Sequence, residues 1–170
     1  MRALRISFAV TLVGGTLFSV AMAAQAQGVH VGSWRPYVDP STGTRVDFPE
    51  GLFVPSGSAP RGKGQLFRTS DGRAEFSIYT VDRARGESPR RYLQQNLKVP
   101  RRILEYERVM PNFFAISAAD QGRVYYSRCN LSRRAAGRMH CIYLAYPERE
   151  TKAWDGVVTR ISRSLRPLHG

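Results

Sequence analysis

Polar and apolar residues alternate over several short stretches of the chain, the period of a β-strand with one face turned inward. Residues 44–48 set Val46 and Phe48 on one face, and Pro49 ends the run. Residues 65–69 and 73–81 flank Ser70-Asp71-Gly72, where Asp-Gly favours a tight hairpin turn. In the second of these segments Ala74, Phe76 and Ile78 share one face, and Glu75, Ser77 and Tyr79 share the other. Further strands are predicted over 103–110, 113–118, 123–130 and 139–146. Two stretches lack a clear period. Residues 28–39 read as a loose lead-in, and 55–64, rich in Pro, Gly and Ser, as a surface loop.

Two segments carry the helical period instead. Ser88-Pro89 is a helix start: the serine hydroxyl can cap free N–H groups, and proline in the first turn loses no hydrogen bond. Tyr92, Leu93 and Leu97 give this helix an apolar side, and Pro100 ends it. Residues 151–165 place Trp154, Val157, Val158, Ile161 and Leu165 on one stripe, with Lys152, Asp155, Arg163 and Arg166 mainly opposite, before Pro167. The order is a run of strands, a helix, more strands and a closing helix. The expected class is α+β, a single globular domain over 44–167 with a largely antiparallel sheet covered by helices. It is preceded by a lead-in over 27–43 and followed by a tail over 168–170.

The opening phrase TGTRVDFPEGLF, the strand DGRAEFSIYTV, the helix after SPRRYLQ and the closing helix ending ISRSL together resemble the PsbP-like superfamily. The likeness runs from Thr44 to Leu165 and is one of pattern and element order. It implies an α/β/α sandwich and a non-enzymatic role in binding proteins or assemblies. Members include an extrinsic subunit of photosystem II and a Ran-binding import factor. The opening phrase is also similar to that of small exported bacterial proteins of unassigned role. No binding motif matches position by position, so the resemblance transfers no functional residue, and fold alone is weak evidence of function.

The first 26 residues read as a secretory signal peptide. Arg2 and Arg5 precede a mostly apolar stretch over 6–20, and Ala24-Gln25-Ala26 fits the small-residue cleavage pattern, with Ala21-Met22-Ala23 as the alternative. The expected location is periplasmic or secreted, with no transmembrane anchor once the signal is cleaved. Hydrophobic residues make up 42% of the 170, enough for a folded core.

Export changes the meaning of the two cysteines. In an oxidising compartment Cys129 and Cys141 read as a disulfide. If the flanking strands pair with the cysteines opposed, Ser127 meets Tyr143 and Tyr125 meets Ala145, all on one side. A redox pair would favour Cys-x-x-Cys. A metal site would need His140, which alternation turns away from Cys141. Neither a metal nor a cofactor is expected.

Catalytic chemistry finds little to build on. Residues 57–63 match seven positions of a P-loop, but Gly64 replaces the magnesium-binding hydroxyl and a strand follows in place of a helix. His140 is the one histidine within a predicted element and reads as a packing or surface residue. Glu105 and Glu107 alternate onto one face of a predicted strand, but amid Arg101, Arg102 and Arg108 they read as a solvated salt-bridged face. An enzyme is not expected.

Charge points elsewhere. Lys and Arg number 26 against 13 Asp and Glu, a formal charge of +13. Residues 88–104 hold Arg90, Arg91, Lys98, Arg101 and Arg102 with no acid, and residues 121–147 hold Arg123, Arg128, Arg133, Arg134 and Arg138 with none. Guanidinium forks grip carboxylate and phosphate in pairs of hydrogen bonds. Arg128, Arg133, Arg134 and Arg138 around the hairpin, with Arg90, Arg91, Arg101 and Arg102, are therefore the candidate anion-binding residues. Scattered surface cations also serve solubility with no partner at all. Tyr125, Tyr126, Tyr143 and Tyr146 could stack bases but read as packing residues, and nucleic acid is disfavoured. The function expected is an exported, non-enzymatic accessory or binding protein acting through a surface on a protein or envelope component. The alternative is an arginine-patch binder of anionic envelope lipid or glycan.

Overall fold

A computed structural model describes residues 29, 31–132 and 137–168. The chain runs β1 (Trp34–Val38), β2 (Thr44–Pro49), β3 (Val54–Ser58), β4 (Lys63–Arg68), β5 (Glu75–Asp82), α1 (Pro89–Asn96), β6 (Leu104–Met110), β7 (Phe113–Asp120), β8 (Arg123–Leu131), β9 (Arg138–Pro147), α2 (Thr151–Ser164) and β10 (Arg166–Pro167). Seven strands form one sheet in the order β3-β4-β5-β9-β8-β7-β6, and β1-β2-β10 form a second. Every pairing is antiparallel. The chain is α+β, as its pattern implied.

Alternation along the central strands supplies two cores, one on each side of the large sheet. On one side Phe76, Ile78, Ile142 and Leu144 meet Val46 and Phe48 of β2 and the stripe Trp154, Val157, Val158 and Ile161 of α2. Aromatic rings fill this side: Phe48 lies 5.0 Å from Phe67, and Trp154 stacks 5.3 Å from Tyr146. On the other side Tyr79, Phe114, Ile116, Met139 and the two cysteines meet Leu93 of α1. Because β5 and β9 are covered on both faces, both are buried over most of their length. The helix boundaries follow their local chemistry. The Ser88 side chain accepts from the Arg91 N–H, Pro89 opens α1, and the helix stops before Pro100.

Two expectations are corrected. The lead-in over 27–43 contains β1, whose Tyr37 pairs with Val46 and packs against the core, while the Arg160 guanidinium lies 4.5 Å over the Trp34 ring. Pro36 masks the strand in the sequence, yet an outer strand tolerates a missing N–H. Likewise β3 occupies much of the stretch expected as a surface loop. All five of its residues are exposed, so no apolar period betrays it. The closing helix stops at Ser164, and Arg166 and Pro167 pair with β2. The first 26 residues lie outside the described part. No helix among the described residues is long and apolar enough to cross a membrane.

The hairpin of β8 and β9 has the expected register: Cys129 faces Cys141, Ser127 faces Tyr143 and Tyr125 faces Ala145. The cysteines form a disulfide with their Cα atoms 4.1 Å apart, buried beneath α1. Cross-linking 12 residues apart removes loop entropy from the unfolded chain. Replacing both Cys129 and Cys141 with Ala should lower the unfolding free energy by roughly 3 kcal/mol in urea titrations. A loss below about 1 kcal/mol would mean that packing alone holds this hairpin.

Candidate binding groove

The predicted arginines do not gather into one patch, because neighbouring strand residues point to opposite faces. Cys129 turns to the α1 side, so Arg128 turns to the α2 side. There its guanidinium lies 4.4 Å over the Phe113 ring, with Nε donating to Asn130 Oδ1 at 3.0 Å and Nη1 to Ser162 Oγ at 3.3 Å. Arg138, at the start of β9, lies 3.5 Å from the Asp82 carboxylate. Arg133 and Arg134 lie outside the described residues. On the α1 side, Arg90 and Arg101 join Lys98 around a cavity of about 260 Å³ floored by Leu93, Leu97 and Ile116. Arg90 also lies 3.6 Å from Glu107. Arg91 and Arg102 are exposed and do not line it.

Sequence reasoning missed a larger groove on the opposite side. Helix α2 packs on β2, β9 and β8, leaving the α2 side of the outer strands β6 and β7 open. The resulting groove holds about 450 Å³. Phe113, Ala115 and Ser117 of β7 form its floor, Tyr126 and Tyr146 its inner wall, and Arg108, Arg128 and Arg163 line it together with Glu105 and Asp155. Arg108 lies 5.7 Å from the same Phe113 ring that carries Arg128. Among the described residues, Arg108, Arg128 and Arg163 make no ion pair. Arg108 and Arg163 are not among the candidate anion-binding residues of the sequence because each lies outside the acid-free windows. The register joining β6, β7 and β8 brings Arg108 to Arg128, and the packing of α2 on β8 brings Arg163.

The phenols of the groove are held neutral. Burial pushes the Tyr146 hydroxyl up to about 12, helped by the nearby carboxylates of Asp155 and Glu105. Burial also raises Tyr126, against its hydrogen bond to Ser162 at 2.6 Å. At neutral pH the wall therefore offers hydroxyl dipoles and the arginines supply the charge. Such a surface suits carboxylates or phosphates that can take two guanidinium hydrogen bonds.

Glu105 and Glu107 are corrected as a same-face set. The register of β6 shifts between Leu104 and Tyr106, so Glu105 lines the α2-side groove and Glu107 the α1-side cavity. Residues 57–63, the partial P-loop match, fall across the turn from β3 to β4. Gly64 there sits at φ +156°, and a Cβ would come within 2.0 Å of the Ile78 carbonyl, so the glycine serves close strand pairing. Among the described residues no three His, Cys, Asp or Glu side chains gather as metal ligands.

His140 is buried, the packing rather than the surface alternative for a lone strand histidine. Its Nδ1 lies 2.7 Å from the Thr44 hydroxyl, tying the small sheet to the large one. The contact continues through Thr42, 2.9 Å from Thr44, to the Asp39 carboxylate, which also accepts from the N–H and hydroxyl of Ser41. Burial, reinforced by the Arg138 charge, lowers the His140 pKa below the ordinary 6.5. The neutral ring suits this buried site.

No protein-family model and no curated protein sequence matches the chain. Solved structures do. Cyanobacterial PsbP (CyanoP) from Synechocystis sp. PCC 6803 superimposes with a TM-score of 0.55 at 13% identity, covering 82% of this chain and 95% of its own. The Ran-binding protein Mog1p of Saccharomyces cerevisiae gives 0.56 at 8% identity, covering 80% and 96%. The chain has a PsbP-like fold.

Stability should depend on pH through His140. Above 6.5 the ring is neutral in both folded and unfolded chains, so its contribution is full. As pH falls below that value the unfolded chain takes up a proton that the folded chain resists, and stability is lost. The stability difference between the wild type and His140→Asn, from urea titrations between pH 7.5 and 5, should shrink as pH falls. A pH-independent difference would contradict this reading.

Proposed function

We propose that the chain is an exported, periplasmic accessory protein, non-catalytic, which binds an acidic partner protein in the groove between α2 and the strands β6 to β8. The observation that carries this reading is the convergence of Arg108, Arg128 and Arg163 on an aromatic floor without an ion-pair partner among the described residues. Arginine stacked on an aromatic ring is already oriented and partly desolvated, so its fork meets a carboxylate at reduced entropic cost. The recessed position, between a helix and a sheet, favours a protruding polypeptide over a flat lipid surface. The yeast protein of the same fold, Mog1p, is a Ran-binding protein, which supports a protein partner for this architecture. Export is supported by the charged, apolar and small-residue regions of the first 26 residues and by the disulfide.

The envelope-lipid or glycan alternative draws on the outward cations Arg91 and Arg102 and on Arg133 and Arg134. The two readings separate on binding assays. A capped decapeptide alternating Glu and Val should bind the oxidised protein in low salt, with affinity falling as salt rises. Arg108→Gln with Arg163→Gln should weaken that binding at least tenfold, since both side chains are exposed and their loss leaves the core intact. Unchanged affinity, or retention only on phosphatidylglycerol vesicles, would overturn the groove reading.

A further inference from the structure

The open edge of β6 lies between the two arginine-rimmed cavities, and we propose that the acidic partner docks there as an extended strand. This rests on the groove reading above and specifies how the partner is held. Strand β6 ends the seven-stranded sheet, and no described strand pairs with its outer side. It closes on β7 through the two residues Pro111 and Asn112, with Met110 opposite Phe113. In such a hairpin the closing pair exchanges hydrogen bonds and alternate pairs do not. Counting back from Met110, the backbone groups of Val109 and Glu107 turn to the open edge.

The cavities match the alternation of an added strand. Tyr106 and Arg108 line the α2-side groove, whereas Leu104 and Glu107 line the α1-side cavity. Successive side chains of a docked strand would fall alternately toward one and the other. Both are basic: Arg108, Arg128 and Arg163 on one side, and Arg90, Lys98 and Arg101 on the other. Those six cations face Glu105, Asp155 and Glu107, and Glu107 is engaged by Arg90. An extended segment alternating carboxylates with apolar residues fits both sides, the carboxylates toward Arg108, Arg128 and Arg163 and the apolar side chains toward the floor of Leu93, Leu97 and Ile116. Tyr106 and Met110, 45% and 41% exposed, offer apolar contact beside it.

The opposite edge of the sheet is closed to the same use. There β3 carries Pro55, which has no N–H to donate, and its register is broken between Pro55 and Gly57. Between Leu104 and Met110, β6 has no proline and one irregularity at its start.

The test uses the full oxidised chain and the Glu-Val decapeptide, with a second peptide of the same sequence N-methylated at three successive central amides. Methylation keeps every charge but removes N–H donors from both edges of the peptide strand and crowds the approach to its neighbour. The parent peptide should bind at least tenfold more tightly than the methylated one. Hydrogen exchange at the Glu107 and Val109 amides should slow at least tenfold when it is bound. Equal binding of both peptides with no added protection would overturn strand addition while leaving the groove reading intact. Failure of the parent peptide to bind at millimolar concentration, or binding to phosphatidylglycerol vesicles alone, would overturn both.

Discussion

The pairing of β8 with β9 decides where everything else in this chain points. Strand side chains alternate strictly, so a slip of one residue would exchange the two faces of the sheet. With Cys129 fixed opposite Cys141, Arg128, Ile142 and His140 go to the α2 side, and Ser127, Tyr143 and Met139 to the α1 side. The disulfide states covalently the register that burial also favours. Ile142 and Leu144 need the aromatic core under α2, while the sulfurs need the apolar pocket with Phe114 and Leu93. The two requirements agree.

The same register explains the placement of the open surfaces. The stripe of α2 is broad enough for β2, β9 and β8 but does not reach β6 and β7. The shorter α1 brings Leu93 over Phe114 and leaves a cavity toward Leu104. Both shortfalls occur at the same end of the sheet. At the other end, Arg68 approaches Glu75, and Arg61 lies 4.5 Å over the Tyr143 ring, so cations there are absorbed locally. The +13 formal charge is thus unequally available. Arg68 at that end is paired with a carboxylate, whereas Arg108, Arg128 and Arg163 make no ion pair among the described residues.

Much of the architecture was legible because its residues obey one period at a time. The hairpin through Asp71-Gly72, the Ser88-Pro89 helix start and the Trp154–Ile161 stripe each carry a local chemical reason for their shape. Asp71 accepts from Thr69 and Arg73, which holds its carboxyl at about 2. Strands β1 and β3 were illegible for the opposite reason. Pro36, Pro55 and Gly57 are poor strand residues tolerated at an edge, where a neighbour's ladder supplies the order. The groove was illegible for a third reason. Arg108, Arg128 and Arg163 are distant in sequence, and joining them requires the β6-β7-β8 register and the packing of α2 on β8, while the shift between Leu104 and Tyr106 separates Glu105 from Glu107. Alternation alone placed those carboxylates together, and a single extra residue undid it.

A rigid platform is what a strand-accepting edge demands, since ordering it at the moment of docking would consume much of the binding energy. The staple contributes to that rigidity from two strands away. Cys129 lies opposite Phe114 of β7 as well as Cys141 of β9, and Phe114 in turn lies opposite Val109 of β6. Fixing the β8–β9 register therefore fixes the ring that supports Val109 from below. The Arg128 side chain, anchored by Asn130 and Ser162, spans from β8 onto Phe113 on the other face of the same strands. Covalent restraint beneath and cation–π contact above converge on β7, so β6 is carried on a neighbour constrained from both sides.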